Sequence, residues 1–297
     1  MTSLKFVCYT FVRVGGFMAR IAVISDIHAN LESLKSVLDD IKKQNIDQII
    51  CLGDIIGKGV NAHECIELVR KHADIVIMGN VDERFCENSE EFKDDKLEHM
   101  RIEFNQSLMT AEDMDYLRSL PYSTEFYLSG NLVRMYHSNP KSFKVNINHF
   151  DTNFKKKLKM FEPGEFTISN KIADLVVFGH LHYQFMEKFY NRTLVNCGSV
   201  GNSGCLIHDE KYNAEPREIV QAHYLILEGE LDSEDKSDEL SIIFRSVNYD
   251  IEKELASGHN NPEFEDYEKE LKKARYRYIQ REKETLKTFG YKFEDEN

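Results

Sequence analysis

Basic residues are in short supply along this chain. Lys and Arg number 38 against 51 Asp and Glu, a formal charge of −13 over 297 residues. Binding to duplex nucleic acid rests on clustered cations, so this balance argues against a protein that tracks DNA or RNA. The short run Lys155-Lys156-Lys157-Leu158-Lys159 reads as a solvated helix face. Paired cysteine motifs are lacking too. Cys8, Cys51, Cys65, Cys86, Cys197 and Cys205 form no CxxC pair and no disulfide-scaffold spacing. Reduced thiols in a cytoplasmic protein are the simpler reading. Long apolar runs are missing as well. Phe6-Val7-Cys8-Tyr9-Thr10-Phe11-Val12 is cut by Arg13, short of a bilayer span. Met18-Ala19-Arg20 then leads straight into a strand, so residues 1–17 read as a disordered extension or one placed ahead of the native start. No membrane association is expected. At this length one large domain with an extension is expected, with a substantial core.

What the chain does have is a set of strand-like apolar runs that each end in polar residues. Ile21-Ala22-Val23-Ile24-Ser25 ends at Asp26-Ile27-His28, with Asn30 placed to cap a following helix. Residues 49–52 end at Gly53-Asp54, residues 75–78 at Gly79-Asn80, and residues 175–178 at Gly179-His180-Leu181-His182. Runs buried on both faces and separated by helical stretches indicate a sheet covered by helices. Ligands of such sheets collect beyond the carboxyl ends of the strands, so blocks far apart in sequence can converge there. Gly53 and Gly79 stand at strand exits, where the chain turns sharply and passes close to its neighbours.

A fifth block, His137, follows residues 131–136, which pair through Ser129-Gly130 with 124–128 in a hairpin pattern. The five blocks supply Asp26, His28, Asp54, Asn80, His137, His180 and His182: two carboxylates, one amide and four imidazoles. That number fills two adjacent divalent sites with one carboxylate shared, and a two-metal site carries hydrolysis of phosphate esters. Mixed oxygen and imidazole donors without thiolate suit manganese or iron, and also zinc, nickel or cobalt, better than magnesium or calcium. Taken singly, Asp after a strand is commonly a helix cap and a histidine in a turn is unremarkable. His63, His72, His99, His149, His208, His223 and His259 read as solvated faces or loops, with no spacing that suggests another metal site.

The ordered set D-x-H, GD, GN, His, GHxH resembles the calcineurin-like metallophosphoesterase superfamily, most closely its small bacterial branch of phosphodiesterases and dinucleoside-tetraphosphate hydrolases. The resemblance covers roughly residues 18–250 and includes Asn196-Cys197-Gly198-Ser199-Val200-Gly201, similar to that branch's NPGSVG segment. It implies an α/β four-layer αββα sandwich of two mixed sheets flanked by helices. It further implies that Asp26, His28 and His182 hold one metal and that Asn80, His137 and His180 hold the other. Asp54 would bridge the two, and a hydroxide between the metals would attack phosphorus in line. Asp54, Asn80 and His137 then stand closest to the chemistry, while Gly198-Ser199 shapes the rim or orients His182. No organic cofactor is implied. The expected substrate is a small phosphorylated molecule, a dinucleoside polyphosphate such as diadenosine tetraphosphate first and a cyclic or aryl phosphodiester second. A non-catalytic scaffold of the same fold is the alternative of a different class.

Two departures stand out. Many superfamily members read GNH at the third block, where the chain has Gly79-Asn80-Val81-Asp82. Valine cannot donate a proton, which biases the site toward leaving groups that need little protonation. Asp82 is placed to take part of that role or to cap a turn. Cys197 stands where the branch often has proline, a change in local rigidity rather than in chemistry.

The remaining segments frame the site. Residues 91–119 read mostly as helix, with Thr110 as an N-cap and Pro121 beyond the end. The stretches 84–120 and 140–170 are expected over the site, selecting the substrate. Gln184–Phe189 with Thr193–Cys197, and His223–Leu227 with Ser241–Val247 around Asp232-Ser233-Glu234-Asp235, read as hairpins that build a second sheet against the first. From residue 251 the chain reads as a helical extension. Its stripe Phe264, Tyr267, Leu271, Ala274 and Tyr278 suits packing on its own subunit or on a second copy in a homo-oligomer equally.

Overall fold

In a computed structural model of the chain, residues 18–87, 89–143, 154–204, 220–235, 239–258 and 260–274 are described. Residues 1–17, Tyr278, Cys8, Cys205, His149, His208 and His259 therefore lie outside the described residues, as does all of 144–153. Two five-stranded mixed sheets face each other. The first has the order β10-β9-β1-β2-β3, from β1 (Met18–Ile24), β2 (Gln48–Cys51), β3 (Ile75–Val76), β9 (Ala222–Glu230) and β10 (Leu240–Val247). The second has the order β4-β5-β6-β8-β7, from β4 (Ser123–Leu128), β5 (Asn131–Tyr136), β6 (Leu175–Phe178), β7 (Gln184–Phe189) and β8 (Arg192–Cys197). Within each, a parallel trio (β1, β2, β3 and β5, β6, β8) carries antiparallel strands at its edge.

The alternation of apolar residues sets the layers. Ile21 and Val23 of β1 point between the sheets with Ile50, Val133, Met135, Leu175, Val177 and Leu225, in one buried cluster. Ala22 and Ile24 point the other way, against Leu34, Val37 and Ile41 of α1 (Leu31–Ile41) and Cys65, Ile66 and Val69 of α2 (Ala62–His72). On the far side, Val176 and Phe178 of β6 meet Met160 and Phe161. The result is the expected four-layer α/β sandwich. Each β1 or β6 side chain fully removed from water on either face contributes roughly 1.5–3 kcal/mol.

Several expectations are met in detail. Asn30 caps α1, its side-chain oxygen accepting from Ser33 N at 3.1 Å. Thr110 caps α5 (Ala111–Ser119) with reciprocal bonds to Asp113, after α4 (Lys96–Ser107). Others are corrected. The fourth apolar run does not share a sheet with the first three; it is β6, at the centre of the second sheet. Conversely, the β9–β10 hairpin does not build the second sheet, but extends the first through β9 paired antiparallel to β1. Apolar character says that a strand is buried, not which neighbour it pairs with. The third run is a strand only over Ile75–Val76, because Met78 N turns to donate to Pro121 O. Strand β8 begins at Arg192, so the turn residues are Tyr190 and Asn191. Lys157 does not sit on a solvated face. It is buried, and its Nζ donates to both carboxylate oxygens of Glu187 at 2.7 and 2.9 Å.

The C-terminal segment folds back over the first sheet's helices. In α7 (Ile251–Ser257) and α8 (Phe264–Lys273), Leu255, Tyr267 and Leu271 form their own buried cluster with Ile251 and Phe264. The described part of the apolar stripe thus packs on its own chain. Among the described residues no helix is long and apolar enough to cross a membrane.

Glu254 of α7 is buried at this junction, accepting from Glu32 N at 3.3 Å and from the Tyr267 hydroxyl at 3.1 Å. Burial, with the Glu32 carboxylate nearby, pushes its pKa up from 4.5 to about 6. A folded-state pKa above the unfolded one means that the folded chain holds the extra proton. The associated stability is therefore complete below pH 4.5 and lost as pH rises through about 6, amounting to about 2 kcal/mol. Glu254→Gln, which keeps an accepting oxygen, should match the parent near pH 4.5 and exceed it by about that amount at pH 8. Urea denaturation at the two pH values checks this.

Candidate metal centre

All five sequence blocks meet at one end of the sandwich, beyond the carboxyl ends of β1, β2, β3, β5 and β6. The loops are laced together by their backbones. Asp26 N donates to Gly53 O at 3.0 Å, and Ile27 N and His28 N both donate to Asp54 O at 2.8 and 3.0 Å. Gly179 N donates to His137 O at 2.9 Å, and Gly201 N to Asp26 O at 3.0 Å, which ties the second sheet to the first. Two glycines among these loops permit close approaches. A Cβ on Gly53, at φ +89°, would run into the backbone of Gly79, and one on Gly179 would come within 2.6 Å of Asp26 Oδ2.

Asp26, His28, Asp54, His180 and His182 all have left-handed backbones, with φ between 52° and 67°. For a residue with a Cβ this costs roughly 1–2 kcal/mol each. Five such residues at one spot are strain held in place by the surrounding bonds, a mark of functional sites.

The ligand atoms form two groups, each within 4.8 Å: Asp26, His28 and His182, and Asp54, His137 and His180. The histidine tautomers follow from their outer partners. His28 Nδ1 lies 3.2 Å from Ile56 O, His137 Nδ1 2.9 Å from Leu52 O, and His182 Nδ1 2.7 Å from Asn202 O. A carbonyl only accepts, so each Nδ1 carries a hydrogen and each Nε2 faces inward.

These inward nitrogens meet one another and the oxygens of the acidic and amide side chains. His28 Nε2 and His182 Nε2 face each other at 3.0 Å. Asp26 Oδ1 lies 3.3 Å from His182 Nε2 and 3.9 Å from His28 Nε2, wholly buried, and accepts no hydrogen bond from any described residue. In the other group His137 Nε2 meets Asn80 Oδ1 at 3.0 Å and Asp54 Oδ2 at 3.3 Å. Asp54 Oδ2 also lies 3.9 Å from His28 Nε2, so this one oxygen reaches toward both groups. Its other oxygen accepts from Val81 N at 2.8 Å. Inward-facing nitrogens and carboxylate oxygens at these distances fit a pair of cations bound between them, with mixed nitrogen and oxygen donors.

The titration behaviour of the bare side chains says the same. Burial presses His28 and His180 down, to about 3 and about 4, so both stay neutral and able to ligate. Burial also opposes a charged His137, yet Asp54 and Asp26 overcome it and lift that pKa to about 9. Burial would raise Asp26 and Asp54, but the histidines around them hold both below the usual carboxylate range. The site demands positive charge strongly enough to take it from a proton.

Asp82 does not point into the site. Its Oδ2 accepts from Asp54 N at 2.7 Å and Gly79 N at 3.1 Å, and its Oδ1 from Ile55 N at 2.9 Å and Ile56 N at 3.3 Å. It caps α3 (Asn80–Phe85) and pins the strained Asp54 turn, so it takes none of the role of the histidine replaced by Val81. Gly198-Ser199 act similarly from the other side: Ser199 Oγ donates to Asp26 O at 2.7 Å and accepts from Asn202 N at 2.8 Å. The residue that meets His182 Nδ1 is Asn202. Neither it nor Lys58 stood out from the sequence, because single polar residues in loops carry no pattern.

The site opens into a cleft of about 740 Å³. Phe85, Phe104 and Phe143 line it together with Lys58, Arg84 and Arg101, all but Lys58 from the stretches expected over the site. Phe143 joins Tyr122 and Phe166 in an aromatic cluster beside His137, its ring 6.0 Å from that imidazole.

Residues 19–212 match the family profile described as the calcineurin-like phosphoesterase superfamily domain. Over 233 residues the chain is 32% identical to the uncharacterized protein MJ0912 of Methanocaldococcus jannaschii, covering 78% of this chain and 89% of that one. A metallophosphoesterase from Sphaerobacter thermophilus has a similar fold, at TM-score 0.64 and 22% identity over 86% of this chain and 99% of that one. The hypothetical protein PH1004 from Pyrococcus horikoshii is similar at TM-score 0.65 and 16% identity, over 87% and 99%.

Asp82→Ala should strand four buried amide N–H groups. At roughly 1–3 kcal/mol for a buried unsatisfied group, partly relieved by entering water, a loss of about 3 kcal/mol is expected. Metal bound per chain should fall with it. Denaturant unfolding and elemental analysis of the same preparation check both.

Proposed function

The chain belongs to the calcineurin-like phosphoesterase superfamily, and from that premise we propose that it is a dimetal phosphohydrolase acting on a small nucleotide. Asp26, His28 and His182 would hold one divalent ion and Asn80, His137 and His180 the other, with Asp54 placed to serve both. The observation that carries this reading is the convergence of inward Nε2 atoms on carboxylate and amide oxygens in two adjacent groups. Bound metals would supply Lewis-acid stabilisation of the phosphoryl oxygens and lower the pKa of water at the site.

The chain's own side chains do the positioning. Backbone carbonyls fix the His28, His137 and His182 imidazoles through Nδ1, and Val81 N fixes Asp54. Val81 gives no proton to a leaving group, so the reaction favours leaving groups that are stable as anions, such as nucleoside phosphates or phenolates. Aromatic faces at the cleft, with arginines nearby, support a substrate that pairs a ring with phosphate; base stacking is worth roughly 1–3 kcal/mol per base. Dinucleoside polyphosphates such as diadenosine tetraphosphate are the leading class. Cyclic or aryl phosphodiesters come second, on the same chemistry. The residue types favour manganese or iron, in a cytoplasmic setting consistent with four buried cysteines outside any disulfide among the described residues.

The test is product release from a panel by the manganese-loaded chain: diadenosine tetraphosphate, a cyclic dinucleotide, an aryl phosphodiester and an aryl phosphomonoester. Turnover of the tetraphosphate is expected, abolished by a chelator and restored by manganese. Asp54→Asn should lower kcat by at least about a thousandfold, the equivalent of several kcal/mol of lost charge stabilisation. Aryl diester cleavage alone would remove the nucleotide assignment. Absence of turnover with any of the five metals would remove the catalytic one.

A further inference from the structure

The ring of His182 is oriented by Asn202, and Asn202 is itself held from the far end of the chain. Asn202 accepts from His182 Nδ1 through its backbone oxygen at 2.7 Å and lies 3.2 Å from the same nitrogen through Oδ1. Its Nδ2 donates to Glu270 Oε2 of α8 at 3.2 Å. Lys58 Nζ completes a triangle, donating to Asn202 Oδ1 at 2.8 Å and to Glu270 Oε2 at 3.1 Å. Glu270 is 2% exposed and Asn202 3%. A carboxylate so far removed from water costs several kcal/mol unless it is paired and bonded. Anchoring a helix does not require such a group, since Tyr267 and Leu271 already bury an apolar face there.

The same segment reaches the cleft. Asn261 Nδ2 donates to Lys58 O, and Arg101 donates to Glu263 through Nε at 2.9 Å. Asn261, Pro262 and Glu263 line the cleft beside His28 and His182. Lys58 has a left-handed backbone at φ 64°, in the turn that follows Asp54 and leads to α2. Three segments separated by 144 and 68 residues therefore converge on one small polar cluster directly behind a candidate ligand.

We propose that Glu270 is a positioning residue for the metal centre: through Asn202, and with Lys58 as its counter-ion, it fixes the His182 imidazole so that Nε2 faces the ion. The C-terminal helix is thereby a working part of the site. This rests on the dimetal reading above. Outer partners of ligating histidines typically contribute 10–100-fold in metal affinity.

The test uses the full-length chain, with Mn²⁺ affinity measured by competition against a chelator at a temperature where every variant is folded. Glu270→Ala should weaken one of two Mn²⁺ equivalents by about 10–100-fold and leave the other unchanged. Glu270→Gln keeps an oxygen that accepts from Asn202 and should lie nearer the parent. Tyr267→Phe, on the same helix as Glu270, is the control: it loses the bond to Glu254 of α7 without touching Asn202, and should shift Tm but not affinity. Unchanged affinity in Glu270→Ala, or an equal loss in Tyr267→Phe, overturns the proposal while the dimetal reading stands. A parent chain that binds no Mn²⁺ overturns both.

Discussion

Asp26 Oδ1 is a carboxylate oxygen sealed inside the protein among imidazole nitrogens, two of them 3.3 and 3.9 Å away, and outside any well-formed hydrogen bond among the described residues. Very little else in the fold makes sense without it. An unpaired buried charge is among the most expensive things a protein can contain. The surrounding groups do not relieve that cost by donating. Three of the four histidines turn their hydrogens outward to carbonyls, and Asn80 presents its amide oxygen. A sequence that assembles so many inward nitrogens and oxygens has built a receptor for cations, and the lifted pKa of His137 shows how far the pocket goes to obtain one.

That receptor is expensive in backbone terms as well. Left-handed φ values at five ligand-block residues must be maintained against a preference for ordinary turns. The maintenance is distributed. Asp82 holds the Asp54 turn through four amides, Ser199 holds Asp26, and backbone bonds tie each loop to its neighbour across both sheets. The sandwich beneath supplies the rigidity: parallel strands from both sheets end at the same level, so short loops suffice to bring the ligands together. Domain-scale stability and site geometry are thus coupled, because loosening the sheet-to-sheet core would release the strained turns first.

Legibility from sequence follows the same physics. Asp26, His28, Asp54, Asn80, His137, His180 and His182 were readable because each ends an apolar run or the strand of a hairpin. The Asn30 and Thr110 caps were readable because capping is local. Strand partnership was not. Residues 175–178 look like the other three runs, yet they pair with β5 and β8 because the chain crosses to the second sheet after β3. The supports were also silent. Asp82 resembles any acid in a first helical turn, Lys157 any lysine in a basic run, and Glu270 any charge on an amphipathic helix. Their roles depend on partners up to 212 residues away, which no periodicity encodes.

The substitution at the third block shows how local and distant features combine. With valine at position 81, the site forgoes a proton donor but keeps the backbone N–H of that residue on Asp54 Oδ1. Protonation is then not what this site offers a substrate. Its assets are concentrated positive charge once metals are present and a cleft with aromatic walls. Both suit a small phosphorylated substrate that brings a good leaving group. The C-terminal helix fits that economy: an acid placed behind His182 sharpens the metal centre, where nearly all the catalytic power must reside.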